Sequence, residues 1–223
     1  MKEAAASSGP VMTTITQIKA FARGSFSLGR GSHDWEHTQR VCNLCRAIGN
    51  VEGADWVVLE IAAYLHDVGR PIQDESKGNV CHAEKGAEIA KTLMREYPIS
   101  QDRKENIIHC ILSHRFRGNR LPKTREARVL FDADKLDAIG AVGIARAFLF
   151  AGEVGARLHN PAVHPEETLP YSEDDTGYRE FKLKLSKIKD HMLTAEGARL
   201  AQERHAFMER FFERFLAEYE GRY

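Results

Sequence analysis

The chain has 223 residues, of which 43% are hydrophobic and 29% charged, with 32 basic and 32 acidic side chains. This length and composition indicate a globular protein of one large domain, or of one domain with an appendage. The formal charge of zero gives no sign of a nucleic-acid or membrane-surface binder, and no apolar run approaches the roughly 18 residues that span a bilayer.

Apolar residues recur at helical spacing along almost the whole chain, and no alternating pattern is long enough for a sheet. Residues 1–11 lack the apolar core of a signal peptide and are expected to be a disordered lead-in, so a cytoplasmic protein is expected. The predicted helices cover residues 12–24, 33–49, 55–67, 81–97, 100–114, 124–152, 173–193 and 195–220. Ser32 is placed to cap the second helix, and the third is apolar nearly all round, which is typical of a central core helix.

Two local patterns indicate residues that pack in a core or an interface rather than residues that bind a metal or a ligand. Cys42 and Cys45 have C-x-x-C spacing, but they lie in a helical apolar pattern and no second such pair completes a four-sulfur zinc site. In the last predicted helix, an aromatic stripe from Phe207 to Phe215 is typical of a helical core or of a seam between two copies of the chain. A homodimer is therefore one expectation.

The acids of the central motifs are harder to explain as packing. His66 and Asp67 end an apolar helix, where a buried ionised aspartate costs several kcal/mol unless it is paired or bound to metal. Asp134 lies in another apolar stretch and shares a helical face with Asp137, whereas Asp132 is expected to turn away. Inward carboxylates together with inward imidazoles suggest a divalent cation.

A zinc-protease site is the first alternative, because His33 and His37 are four residues apart with acids between them. The His-Asp-x-x-His sequence departs from H-E-x-x-H by its shorter acid, which would not reach the same water. That model also leaves His66, Asp67 and Asp134 without a role. The protease hypothesis is therefore disfavoured.

Four motifs together resemble the HD-domain superfamily of metal-dependent phosphohydrolases, and especially its small bacterial hydrolases. They are H-D-x-x-H-x-x-R-V at 33–41, L-H-D-V-G-R at 65–70, H-A-E-K-G-A at 82–87 and D-A-D-K-L-D-A-I-G-A-V-G-I-A-R at 132–146. The resemblance spans about residues 15–150. It implies an all-α bundle around a central metal, here within one domain over 12–223 that has a helical extension at about 173–220.

The resemblance implies that His37, His66, Asp67 and Asp134 are the metal ligands. Two imidazoles and two carboxylates suit Mn, Mg, Co, Ni, Zn or Fe. Asp67 is also expected to act in catalysis, by orienting a water nucleophile or taking its proton. The implied substrate is a small phosphorylated molecule, expected to be a nucleotide, and the choice between a monoester and a pyrophosphate bond stays open. Neither a membrane nor a long nucleic acid is expected as a partner.

Basic side chains near these motifs are expected to bind phosphate. His82 and His114 are predicted to contact phosphate or to protonate the leaving group, in preference to holding a second metal. Arg70 and Lys85 are predicted to bind the substrate, Arg as a bidentate clamp and Lys as a point charge. His33 is predicted to contact substrate as well.

Three further residues are expected to support the ligands indirectly. Asp34 could accept a hydrogen bond from a ligand histidine and fix its tautomer, and Arg40 could pair with an inward acid. Asp137 is expected beside Asp134.

Two other functions compete with hydrolysis. Some HD-fold proteins hold two irons and oxidise their substrates with oxygen, which requires a second set of metal-binding histidines. A non-catalytic metal-binding or regulatory module is the other alternative, with a partner docked on the stripe from Phe207 to Phe215.

Overall fold

The protein is all-α, as predicted, and the computed structural model describes residues 8–26, 34–115 and 120–222, within which no strand forms. The helices are α1 (Ser8–Ser25), α2 (Trp35–Glu52), α3 (Trp56–Leu65), α4 (Arg70–Glu75), α5 (His82–Leu93), α6 (Gln101–Ser113), α7 (Arg125–Leu136), α8 (Gly140–Glu153), α9 (Gly177–Leu183) and α10 (Ala195–Tyr219). Short 3₁₀ helices cover Met94–Glu96, Pro165–Glu167 and Leu185–His191. In these ranges no helix has both the length and the apolar character needed to cross a bilayer.

The chain divides into two compact units, and the first, Met1–Asp134, is built around α3. Asp55 caps this helix by accepting hydrogen bonds from the amides of Val57 and Val58. Eight of its ten residues are buried, so it is the predicted core helix. Cys42 and Cys45 of α2 are buried free cysteines, as the apolar pattern predicted.

One half-buried carboxylate fixes where α7 begins in this unit. Glu126 accepts hydrogen bonds from the backbone amide of Asp55 and from the side chain of Asn106, both at 2.9 Å. The start of α7 is thereby tied to the N-terminus of α3 and to α6. This attachment positions Asp134, which lies further along α7.

The second unit, Lys135–Tyr223, contains α8, α9 and α10. Phe212 of α10 is 1% exposed and stacks on Phe181 of α9 with ring centroids 4.5 Å apart. Phe207 is 41% exposed, so only part of the aromatic stripe lies in the core of this unit. A buried ion pair, Asp175 with Arg179 at 2.7 Å, holds the start of α9.

Three local predictions need correction. The second helix begins at Trp35 and is capped by Asp34, whereas Ser32 lies outside the described residues. The helix predicted over 124–152 is two helices, because Ile139 is extended and Gly140 has a φ of +81°. A short helix, α4, begins at Arg70 in what was predicted as a break.

Two further differences concern the chain's first helix and Asp132. The first helix begins at Ser8, inside the predicted lead-in of residues 1–11, and residues 1–7 lie outside the described ranges. Asp132, predicted to turn away from the helical face of Asp134, is fully buried at 0% exposure, so leaving that face does not bring it to solvent.

Candidate metal centre

Asp67 is the centre of a buried cluster of histidines and acids in the first unit. The chain leaves α3 at His66 and turns, with the amide of Arg70 donating to the Asp67 carbonyl at 2.9 Å. Asp67 is 2% exposed and His66 is fully buried. A carboxylate this deep needs cationic or hydrogen-bonding partners, and it faces four imidazole rings.

A close backbone approach brings α5 to this turn. A Cβ added at Gly69 would lie 2.3 Å from the carbonyl oxygen of His82 and 2.7 Å from the amide nitrogen of Gly86. Only a glycine leaves this space, although its φ is an ordinary −85°. The glycine of the L-H-D-V-G-R motif therefore sets the distance between Asp67 and His82.

The first group of metal-type ligands consists of His37, His66 and Asp134. His37 Nε2 lies 3.4 Å from both His66 Nε2 and Asp134 Oδ1. Asp67 Oδ2 faces the same group, 3.8 Å from His37 Nε2 and 3.7 Å from His66 Nε2. The four residues that the resemblance implied as ligands thus lie close together.

A second group consists of Asp67, His82 and His114, all buried. The Nε2 atoms of the two histidines are 3.1 Å apart. Asp67 Oδ1 lies 3.3 Å from His82 Nε2 and 3.7 Å from His114 Nε2. The two oxygens of Asp67 therefore face different groups, so its carboxylate lies between them.

Hydrogen bonds at Nδ1 fix the tautomers of three of these histidines. His66 Nδ1 donates to the Ala63 carbonyl at 2.7 Å, and His114 Nδ1 donates to the Ile111 carbonyl at 2.6 Å. His82 Nδ1 donates to the side chain of Gln73 at 2.8 Å. In the neutral rings the proton is on Nδ1, so each Nε2 presents a lone pair to the cluster.

Burial keeps at least two of these rings neutral. It lowers the pKa of His66 to about 4 and that of His82 to about 2, although Asp67 acts in the opposite direction on both. When both rings are neutral, the Nε2 lone pairs of His82 and His114, which lie 3.1 Å apart, cannot hydrogen-bond to each other. A cation near them removes this repulsion, so the donor set fits a divalent metal ion of the kind that takes nitrogen and oxygen ligands.

We expect the metal-free protein to lose stability as the pH falls below about 6.5. The unfolded chain protonates His66 and His82 near their ordinary pKa of 6.5, whereas the folded pKa values are about 4 and 2. Between these values the unfolded state binds more protons, so each group destabilises the fold by up to about 1.4 kcal/mol per pH unit of acidification. Melting temperatures measured in chelator at pH 7.5 and 5.5 test this. If the melting temperature of a His82→Gln variant fell between pH 7.5 and 5.5 as much as that of the wild type, His82 would not be one of the groups that destabilise the fold in acid.

Arg70 lies at the rim of the cluster. Its Nη2 is 3.4 Å from Asp67 Oδ1 and 3.5 Å from His82 Nε2. Its Nε is buried and has no hydrogen-bond partner among the described residues. A buried guanidinium nitrogen without a partner fits an anionic ligand at this position.

Three further residues that the sequence predicted for the site are Lys85, Asp34 and Arg40. Lys85 pairs with Glu88 at 2.8 Å on the surface of α5, and its role in substrate binding stays a prediction. Asp34 caps α2, and its carboxylate accepts a hydrogen bond from the backbone amide of His37 at 2.8 Å. This contact is with the His37 backbone and not with its ring. Arg40 is half-buried one turn after His37.

Asp137 and His33 complete the set of predicted residues. Asp137 belongs to the second unit and accepts a hydrogen bond from Arg146 at 2.7 Å. It lies after the end of α7 and not on one helical face with Asp134. His33 lies outside the described residues.

Comparison with known proteins agrees with this cluster. The HD domain family model matches residues 34–139, which contain every member of both ligand groups. YpgQ of Bacillus subtilis is 35% identical over 200 residues, covering 87% of this chain and 88% of YpgQ. The chain belongs to the HD-domain family.

Solved HD-domain structures share the fold over nearly the whole chain. YpgQ of Bacillus subtilis in complex with ADP gives a TM-score of 0.71 at 32% identity, covering 94% of this chain and 96% of that one. An HD-superfamily hydrolase from Bacillus thuringiensis gives 0.73 at 27% identity, covering 94% and 98%. A shorter match is to ribonuclease Y of Thermoanaerobacter pseudethanolicus, at 30% identity over 121 residues. This match covers 22% of the ribonuclease.

Proposed function

We propose that this HD-domain protein is a metal-dependent phosphohydrolase that acts on a small phosphorylated molecule, most simply a nucleotide. The observation that carries the proposal is the carboxylate of Asp67, whose two oxygens face two separate groups of nitrogen and oxygen ligands. The complex of the relative YpgQ with ADP supports a nucleotide as the ligand class.

The first group, with Asp67, would hold one divalent cation through His37, His66 and Asp134. A cation bound there supplies Lewis acidity toward a phosphoryl oxygen and lowers the pKa of a water nucleophile. The Nδ1 hydrogen bond of His66 to the Ala63 carbonyl holds that ligand ring in place before any metal binds. Arg70 would neutralise the charge of the phosphate group, since its free Nε lies at the rim of the same cluster.

The second group supports a ligand role for His82 and His114 better than a role in protonating the leaving group. Each donates its Nδ1 proton to a fixed acceptor, and the low pKa of His82 leaves its Nε2 without a proton to give. We infer that these two histidines and Asp67 Oδ1 hold a second cation. Asp67 would then bridge the two ions.

A substrate screen of the metal-reconstituted protein tests the function. The protein is stripped with chelator, supplied separately with Mn, Mg, Co, Ni, Zn or Fe, and assayed for phosphate or pyrophosphate release. The panel contains nucleoside mono-, di- and triphosphates and a short oligoribonucleotide, since ribonuclease Y shares part of the domain. Turnover of a nucleotide is expected. Silence across the panel with bound metal would favour the non-catalytic module.

A di-iron oxygenase is the second candidate, because the ligand groups bridged by Asp67 include the extra histidines that such an enzyme needs. Metal content and oxygen consumption separate the two functions. Two irons per chain with uptake of oxygen would favour the oxygenase. Hydrolysis under anaerobic conditions with Mn would exclude it as the primary activity.

Replacing Arg70 with methionine is expected to raise the KM for the nucleotide about 10- to 100-fold while Mn binding is retained. The variant loses a charge-assisted hydrogen bond to phosphate, a loss of about 1.5–3 kcal/mol. Steady-state kinetics and Mn titration measure the two effects. Arg46→Met is the matched control, since Arg46 pairs with Glu60 and is 54% exposed. An unchanged KM in Arg70→Met would remove Arg70 from the substrate site.

A further inference from the structure

His82 differs from the other fixed histidines in where its Nδ1 proton goes. His66 and His114 each donate to a carbonyl three residues earlier, which the preceding helical turn supplies. His82 is the first residue of α5, so no helical turn precedes it. Its ring therefore needs an acceptor from elsewhere in the chain, and Gln73 of α4 supplies one.

A single oxygen of Gln73 holds both the ring and the backbone of His82. Gln73 Oε1 accepts from His82 Nδ1 at 2.8 Å and from the His82 amide at 3.2 Å. The backbone amide can only donate, so it fixes the orientation of the Gln73 side-chain amide and makes Nδ1 the protonated nitrogen. The residue before α5, Cys81, provides no side-chain cap, so Gln73 also takes the place of an N-cap.

The chain between Gln73 and His82 is built to present this oxygen. Gly78 donates its amide to the Gln73 carbonyl at 2.9 Å, and Ser76 donates its hydroxyl to the same carbonyl at 2.8 Å. Lys77 and Gly78 have positive φ values of 53° and 84°, which reverse the chain direction. These contacts hold the backbone of Gln73 and leave its side chain directed at α5.

We propose that Gln73 is the positioning residue that holds His82 in the Nδ1-protonated tautomer and so directs its Nε2 to Asp67 and His114. The consequence for metal binding rests on the proposed two-cation centre. Loss of the acceptor frees the His82 ring to rotate or to change tautomer, and loss of such a partner of a ligand histidine typically lowers metal affinity 10- to 100-fold. The first ligand group does not involve Gln73 and keeps its affinity.

Gln73→Met removes the acceptor at nearly constant size, whereas Gln73→Glu keeps it and adds charge. Side-chain ¹⁵N NMR of the metal-free protein reports the tautomer of His82 directly. The wild type and Gln73→Glu are expected to show a protonated Nδ1, and Gln73→Met a mixture of tautomers. Mn titration is expected to show a 10- to 100-fold weaker second site in Gln73→Met alone. Gln101→Met, an exposed helical position, controls for the loss of a glutamine amide.

The outcomes separate this inference from the proposed function. An unchanged His82 tautomer in a folded Gln73→Met variant would overturn the positioning role, whatever the enzyme hydrolyses. A changed tautomer with an unchanged Mn isotherm would overturn its importance for the second cation. A changed tautomer in a protein without phosphohydrolase activity would support Gln73 and refute the hydrolase. Circular dichroism and the melting temperature establish that each variant is folded.

Discussion

Replacing Asp67 with asparagine is expected to lower phosphohydrolase activity by at least about 10³-fold and to remove Mn binding at both ligand groups. Its oxygens are the ones that face both groups, at 3.3 to 3.8 Å from four imidazole nitrogens. An amide of the same shape is a poor ligand for a cation, and metal-based stabilisation of a phosphoryl transition state is worth several kcal/mol. Values of kcat and metal content by mass spectrometry measure the two losses.

The same substitution should have the opposite effect on the metal-free protein. Asp67 is 2% exposed among imidazole rings, and Arg70 lies 3.4 Å from it. A buried carboxylate has a desolvation cost that an amide of the same shape largely lacks, and the Arg70 contact is long and partly exposed, so the melting temperature in chelator should stay constant or rise. The increase in melting temperature that Mn gives the wild type should disappear in this variant.

Asp175→Asn is the matched control for Asp67→Asn. Asp175 is 3% exposed and forms an ion pair with Arg179 at 2.7 Å in the second unit. Its loss should lower stability by leaving a buried guanidinium unpaired, with Mn binding unchanged. Full activity or Mn binding in Asp67→Asn would refute the bridging role.

The helices of the fold were predictable because apolar periodicity reports burial directly. The break between α7 and α8 was not, since small residues around Gly140 continue a helical pattern that a φ of +81° interrupts. The short helix α4 was missed because Pro71 was interpreted as a helix breaker, although a proline is well placed in a first turn.

The sequence predicts which residues form the candidate site better than it predicts which side chains those residues contact. His66, Asp67 and Asp134 follow apolar stretches of α3 and α7 that lead their side chains inward, and His37 lies on the buried face of α2. The pairing of His82 with His114 depends on where two distant helix ends meet, which no local pattern encodes. The identity of Gln73 itself gives no signal, because a glutamine in a predicted polar loop is ordinary. Its one clue was a helix that begins at His82 without a capping residue.

Replacing Gly69 with alanine is expected to be among the most destabilising single substitutions in the first unit. The added Cβ would lie 2.3 Å from the carbonyl oxygen of His82 and 2.7 Å from the amide of Gly86, both backbone atoms. Relief requires α5 to move away from the turn, at a cost on the order of 3 kcal/mol. That movement withdraws His82 from Asp67, so Mn binding at the second ligand group should weaken more than at the first. Thermal unfolding and Mn titration measure both effects.

Gly24→Ala is the matched control for Gly69→Ala. Gly24 lies near the end of α1, and a Cβ there meets nothing within 4 Å. Alanine should therefore stabilise the helix by about 0.5–1 kcal/mol and leave Mn binding unchanged. A Gly69→Ala variant that unfolds at the wild-type temperature and binds Mn equally at both groups would show that the close approach of α5 is not what holds Asp67 and His82 together.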